Sequence, residues 1–168
     1  NEVIANRGLE LAGQPKGTYE QLHPNDHVNR SQSTNDTYPT ALKVGLCLAI
    51  ERLLVELELL QQAFHEKGLE FSGIVKVGRT QLQDAVPMTL GQEFEGFAVT
   101  LGEDRSCFER VIEQLGEINL GATAIGTGIT ADPRYAAAVR KHLAAITGYR
   151  IITAPNLIEA TTDVGVFM

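Results

Sequence analysis

From Leu90 to Ile118 the apolar side chains alternate at spacings of four and three. They are Leu90, Phe94, Phe97, Leu101, Asp104, Phe108, Val111, Leu115 and Ile118, with Asp104 the only polar member. That spacing keeps one face of an α-helix apolar along its length and predicts a long bundle helix. A second pattern precedes it. Leu46, Ile50, Leu53, Leu57, Leu60 and Phe64 mark a helix expected from Thr40 to about Phe71, and Leu42, Val44, Leu48, Leu54, Val55 and Leu59 occupy its other faces. A helix of that length reaches ~45 Å at 1.5 Å per residue. Apolar residues on several faces demand neighbours on several sides. A chain of 168 residues can hardly supply them all, so other subunits are expected to. The expected fold class is all-α, a long-helix bundle.

Between the two patterns lies Gly78–Phe94, GRTQLQDAVPMTLGQEF. It gathers Arg79, Thr80, Gln81, Gln83, Asp84, Thr89, Gln92 and Glu93, with Gly78, Pro87 and Gly91 setting the backbone. The second long helix is expected to start near Asp84 or Met88. The plain reading of the polar run is a helix–helix connection whose side chains cap the helix ends. The functional reading is a site held between rigid elements.

A second polar run, Ser31-Gln32-Ser33-Thr34-Asn35-Asp36, precedes Pro39 and opens the first long helix. Ser, Thr, Asn and Asp all cap helices, and Pro is accepted in a first turn. Six such residues exceed what a cap needs. Hydroxyls, an amide and free N–H groups at a helix start suit a carboxylate or phosphate; an over-capped helix is the plain alternative.

Elsewhere a short helix ends at Gly13, and a loop rich in turn residues runs from Gln14 to Arg30. His23 and His27 stand four apart, but Pro24 interrupts any continuous helix there, so local hydrogen bonding in a turn outweighs a metal site. Asn119–Thr130, NLGATAIGTGIT, lacks the GK[ST] of a nucleotide loop. It reads either as a flexible connector or as backbone that must approach a ligand or helix closely. A helix is expected from Pro133 to Ile146, closed by Gly148. A short extended piece at Ile151-Ile152 and a helix from Asn156 to Val166 follow.

A net charge of −7 argues against nonspecific nucleic-acid binding. Cys47 and Cys107 lie inside the helical patterns and are expected to be buried, reduced thiols. No signal peptide or membrane span is visible, and a cytoplasmic location is expected. The chain starts and stops inside patterns, so it is expected to be a central piece of a longer protein. On bulk pattern alone, a non-catalytic helical oligomerisation module competes with an enzyme. The two polar runs separate these, because assembly needs neither.

Four segments carry a resemblance: NEVIAN (Asn1–Asn6), HPNDHVNRSQSTNDTYPT (His23–Thr40), GRTQLQDAVPMTLGQEF (Gly78–Phe94) and GATAIGTG (Gly121–Gly128). In this order they resemble the aspartase/fumarase superfamily of four-carbon lyases across essentially the whole chain. The resemblance implies a long-helix bundle, incomplete here. Residues 1–35 would be the end of an N-terminal domain and 36–168 the first part of the central bundle. It also implies a homotetramer whose active sites are shared between subunits. Within the superfamily the chain resembles the ammonia-lyases more than the class II fumarate hydratases, which usually carry His where Gln81 stands. Asn119–Gly126 and Leu157–Thr161 look ammonia-lyase-like too, whereas His23 looks like the hydratase form of its loop. Argininosuccinate and adenylosuccinate lyases share the fold but differ more in the first two motifs.

The implied reaction removes a Cβ proton from L-aspartate, stabilises the resulting enediolate and expels ammonia to give fumarate. By resemblance, Ser33, Thr34 and Asn35 bind the substrate carboxylates and amino group, while Thr80 and Gln81 act on its α-side. His23, Asn25 and Asp26 would form a second anion site. The resemblance implies no required cofactor; some relatives respond to a divalent metal, for which the sequence offers no ligand set. The family's GSS-x-MP-x-K-x-N loop, which carries the serine thought to be the base, does not occur in these residues. The piece alone is therefore expected to be inactive.

Overall fold

The computed structural model describes all residues, 1–168. In chain order the elements are α1 (Glu2–Leu11), a π-helical turn (Pro24–Val28), α2 (Thr34–Glu70), β1 (Val75–Thr80), β2 (Gln83–Thr89) and α3 (Leu90–Leu115). β3 (Glu117–Ile118), α4 (Tyr135–Thr147), β4 (Ile152–Thr153), α5 (Leu157–Thr162) and a 3-10 turn (Gly165–Phe167) follow. The all-α expectation holds in substance, since the strands are a hairpin and one two-residue parallel pair. The chain forms two compact units: Asn1–Val44 with Leu115–Met168, and Gly45–Gln114.

In the second unit α2 and α3 run antiparallel. Glu58 meets Arg105, His65 Nδ1 lies 2.8 Å from Glu95 Oε2, and Gln61 lies over Gly102. Phe64, Phe71, Phe94 and Phe97 interlock at ring separations of 5.2–6.0 Å. Edge-on aromatic pairs of this kind add ~0.5–1.5 kcal/mol each beyond burial. At the hairpin end the helices close on glycine: a Cβ on Gly91 would sit 2.7 Å from Ser72 Cα and press on Gly68 O. Only one face of α3 is covered, so Cys107 is exposed while Cys47 is buried. Burial of both thiols was expected, and α3's free face accounts for the difference.

Two expectations fail at the ends of α3. Asp84 and Met88 lie in β2, and α3 starts only at Leu90. The β-branched residues Val75, Val77 and Val86 favour a pleated ribbon, but Gln-Leu at the turn carries no hairpin signature. At the other end, Ile118 continues the apolar spacing yet belongs to β3, paired with Thr153. Its burial is real, 1% exposed, so the spacing registered a core position that is not helical.

In the first unit Ile118, Leu120 and Ile151 form a buried cluster under Tyr135, Val139 and Leu143 of α4. Each such aliphatic side chain contributes ~1.5–3 kcal/mol by burial. α4 ends at Gly148, φ 77°, the left-handed stop expected there. Asn156 caps α5 by accepting from the N–H groups of Ile158 and Glu159.

Candidate active site

Pro39 lies inside α2, beyond its first turn. Proline has no N–H, so the carbonyl four residues back, Asn35 O, loses its helical partner. Asn119 replaces it: its Nδ2 donates to Asn35 O at 3.1 Å and to Thr161 Oγ1 at 3.2 Å. A helix-breaking residue thereby ties the start of α2 to the chain after α3.

Next to it, Asp36 is fully buried. Its Oδ1 accepts from Ser33 N at 2.9 Å, and its Oδ2 from Gly121 N at 3.1 Å and Thr123 N at 2.9 Å. Asn35 Nδ2 donates to Ala124 O at 2.6 Å. The Gly121–Gly128 loop is therefore pinned to the helix start rather than a free connector. Its glycines are needed. Gly121 and Gly126 both have φ 99°, and a Cβ on Gly121 would reach 2.8 Å from Ala136 Cβ. The close-approach reading holds, and the neighbours approached are α4 and α5.

Much of SQSTND is spent on this scaffold. Asn35 N donates to Ser33 Oγ, and Thr37 Oγ1 donates to Ser33 O at 2.7 Å. Thr34 N–H, the Ser33 and Thr34 hydroxyl protons and Asn35 Oδ1 have no partner within the chain. The orientation of the Asn35 amide follows from its bond, because only the NH2 can face a carbonyl. Nearby, Lys43 Nζ donates to Glu117 O at 2.6 Å. Burial pulls its ammonium pKa down, and Glu117, Asp163 and Glu159 oppose that.

The Gly78–Phe94 stretch divides in the same way. Thr89 Oγ1 accepts from Gln92 N while Gln92 Oε1 accepts from Thr89 N, a reciprocal capping box at the start of α3. Lys76 pairs with Glu93 at 2.6 Å and Arg79 with Asp84 at 3.2 Å. Thr80, Gln81 and Gln83 make no side-chain hydrogen bond and lie exposed at the hairpin tip. Thus the capping reading accounts for the polar residues at the helix end and leaves those at the tip unexplained.

The tip is strained. Gln81 and Leu82 both have positive φ, 50° and 62°. Two-residue hairpin turns of this kind favour Asn-Gly, since left-handed backbone costs an L-residue ~1–2 kcal/mol. Leu82 is fully exposed, so its side chain repays nothing by burial within the chain. Leu82→Gly is expected to raise stability by ~0.5–1 kcal/mol, read as a higher urea midpoint of the full-length protein. Strain of this kind collects at functional positions. Sequence reasoning missed it because φ leaves no trace in residue type here.

The remaining expected site lies in the loop. His23 Nδ1 accepts from Asn25 N at 3.2 Å and Asp26 N at 3.1 Å, capping the π-helical turn, and His27 Nδ1 accepts from His23 N at 2.8 Å. Local hydrogen bonding thus occupies one nitrogen of each ring, leaving Nε2 of His23 and the Asn25 amide as outward donors. Asp26 Oδ2 lies 3.3 Å from His23 Nδ1.

A family model described as "Lyase" matches residues 1–167. The chain is 59% identical over 169 residues to the aspartate ammonia-lyase of Pseudomonas fluorescens, and 50% identical over 168 residues to that of Escherichia coli K12. Both alignments take in 100% of this chain but 35% of the relative. The chain therefore spans about a third of the length of the curated relatives it matches. Among solved structures, a cobalt-bound "fumarate lyase:delta crystallin" from Brucella melitensis superposes with a TM-score of 0.94 at 52% identity, over 98% of this chain and 36% of that one. A class II fumarase from Schistosoma mansoni gives 0.86 at 29% identity, over 94% and 36%.

Proposed function

The chain belongs to the lyase family, and from that premise we propose that the protein containing it is an ammonia-lyase converting L-aspartate reversibly to fumarate and ammonia. The observation that carries this reading is the set of neutral groups left over once caps and ion pairs are satisfied. Ser33, Thr34 and Asn35 offer two hydroxyls, a backbone N–H and one outward acceptor, Asn35 Oδ1. The donors suit a carboxylate, and the acceptor suits the substrate ammonium, whose protons all need acceptors. Thr80 and Gln81 supply uncharged groups at the strained tip.

Abstraction of the weakly acidic Cβ proton leaves its electron pair delocalised into the neighbouring carboxylate. Breaking Cα–N then forms the alkene and releases ammonia. Fixed donors at the carboxylate lower the barrier because they bind the enediolate more tightly than the starting acid. Gln81 cannot titrate, which fits a leaving group that departs as an amine. A histidine there would suit the handling of water. The base is assigned to no residue of this chain, and the chemistry needs no organic cofactor.

We propose further that the protein acts as a homotetramer in the cytoplasm, with active sites shared between subunits. The support is the apolar surface left on α2, where Leu48, Leu53, Val55 and Leu59 are 42–58% exposed; sedimentation of the full-length protein tests it. No helix is long and apolar enough to cross a membrane.

The second reading is a class II fumarate hydratase, favoured by the His23-Pro-Asn-Asp loop. Full-length protein incubated with L-aspartate and with L-malate, followed by the ultraviolet absorbance of fumarate, separates the two. L-Aspartate is expected to be the better substrate by at least ~100-fold in kcat/KM, since a site built for particular polar groups rejects an analogue that leaves them unpaired. Rapid conversion of malate with no response to aspartate would establish the hydratase instead.

A further inference from the structure

We propose that Asp36 is a positioning residue for this elimination: its buried carboxylate locks the Ser33–Asn35 turn and the Gly121–Ala124 loop into one body. The inference rests on the ammonia-lyase reading and extends it to a residue that reading does not place at the substrate. Three N–H donors from separate points converge on one side chain, two of them from residues 85 and 87 positions downstream. Thr123 takes a left-handed φ of 60° in the same loop. Ala124 O is turned toward Asn35 Nδ2 at 2.6 Å. That bond decides which end of the Asn35 amide faces outward.

The consequence runs through geometry. If the Asp36 carboxylate lets go of the loop, Ala124 O leaves Asn35, whose amide is then free to rotate. Ser33 loses the bond that fixes its N–H, and with it the direction of its hydroxyl. The groups proposed to hold substrate lose their aim although none is removed. A carboxylate suits the task because both oxygens accept and neither donates when it is ionised. An asparagine of the same shape must turn an NH2 toward at least one of the three N–H groups.

The test uses the full-length enzyme. In Asp36→Asn, kcat/KM for L-aspartate is expected to fall 10–100-fold, mainly through a higher KM, with amide exchange accelerating at Gly121 and Thr123. The comparison variant is Thr40→Val. It removes a buried hydroxyl bonded at 2.7 Å to the backbone O of Asp36 but leaves the carboxylate network in place. It is expected to lower the melting temperature while keeping kcat/KM within twofold. Asp36→Glu keeps two acceptor oxygens but displaces them by one methylene, and is expected to raise KM at least threefold. It decides the matter if Asp36→Asn does not assemble. Wild-type rates in a folded Asp36→Asn, equal losses in Thr40→Val, or an unchanged KM in Asp36→Glu would each overturn the positioning role. A wild-type enzyme inactive on L-aspartate would instead sink the underlying reading, and this proposal with it.

Discussion

On the proposed ammonia-lyase reading, Thr80→Val is expected to lower kcat/KM for L-aspartate by ~10²–10³ in the full-length protein, with little change in stability. Valine keeps the β-branched shape that suits the end of β1, and the Thr80 hydroxyl makes no hydrogen bond within the chain. Exposed substitutions of this sort normally shift stability by no more than ~0.5 kcal/mol. The expected activity cost is that of losing the donor proposed for the developing enediolate, worth ~2.7–4 kcal/mol in comparable oxyanion sites. Steady-state fumarate formation measures the first effect and urea denaturation the second. Activity within threefold of wild type would remove Thr80 from the chemistry. A large stability loss would make its role structural.

Gly126→Ala is expected to destabilise the protein by ~2–5 kcal/mol, combining two penalties. The backbone there has φ 99°, which L-residues rarely adopt, and a Cβ would stand 2.6 Å from both Ile158 N and Leu157 O. Those atoms belong to the first turn of α5, held by Asn156, so no flexible side chain can yield. Pushing α5 away also draws Thr161 from Asn119 Nδ2, the amide that serves the carbonyl orphaned by Pro39. A backbone clash at the loop is thus passed to the start of α2. Denaturant unfolding of the full-length variant reads the loss; an unchanged midpoint would mean that the loop can shift without cost.

The long helices were legible because apolar periodicity is a one-dimensional record of which face is covered. α2 appears over Thr34–Glu70, close to the Thr40–Phe71 expectation, and α4 ends at the glycine marked for it. The hairpin was not legible. Its strands are short and exposed, and its turn uses Gln81 and Leu82 where a sequence signal requires asparagine or glycine. The excess of polar residues in SQSTND and GRTQLQD was visible, but their division of labour was not. Thr89 and Gln92 look no less functional in the sequence than Thr80 and Gln81. Only hydrogen-bond partners show that one pair caps a helix while the other is unspent.

The sequence by itself determined the element types over most of the chain, the glycine that ends α4, and the two clusters in which chemistry should be sought. Those properties depend on residues a few places apart, where spacing and backbone preference suffice. The tertiary structure decided what Asp36, Asn119 and the Gly121–Gly128 loop do. The bonds that join the start of α2 to the chain after α3 link residues more than 80 positions apart. A carboxylate takes its role from whichever amides folding brings to it, and no local pattern encodes that.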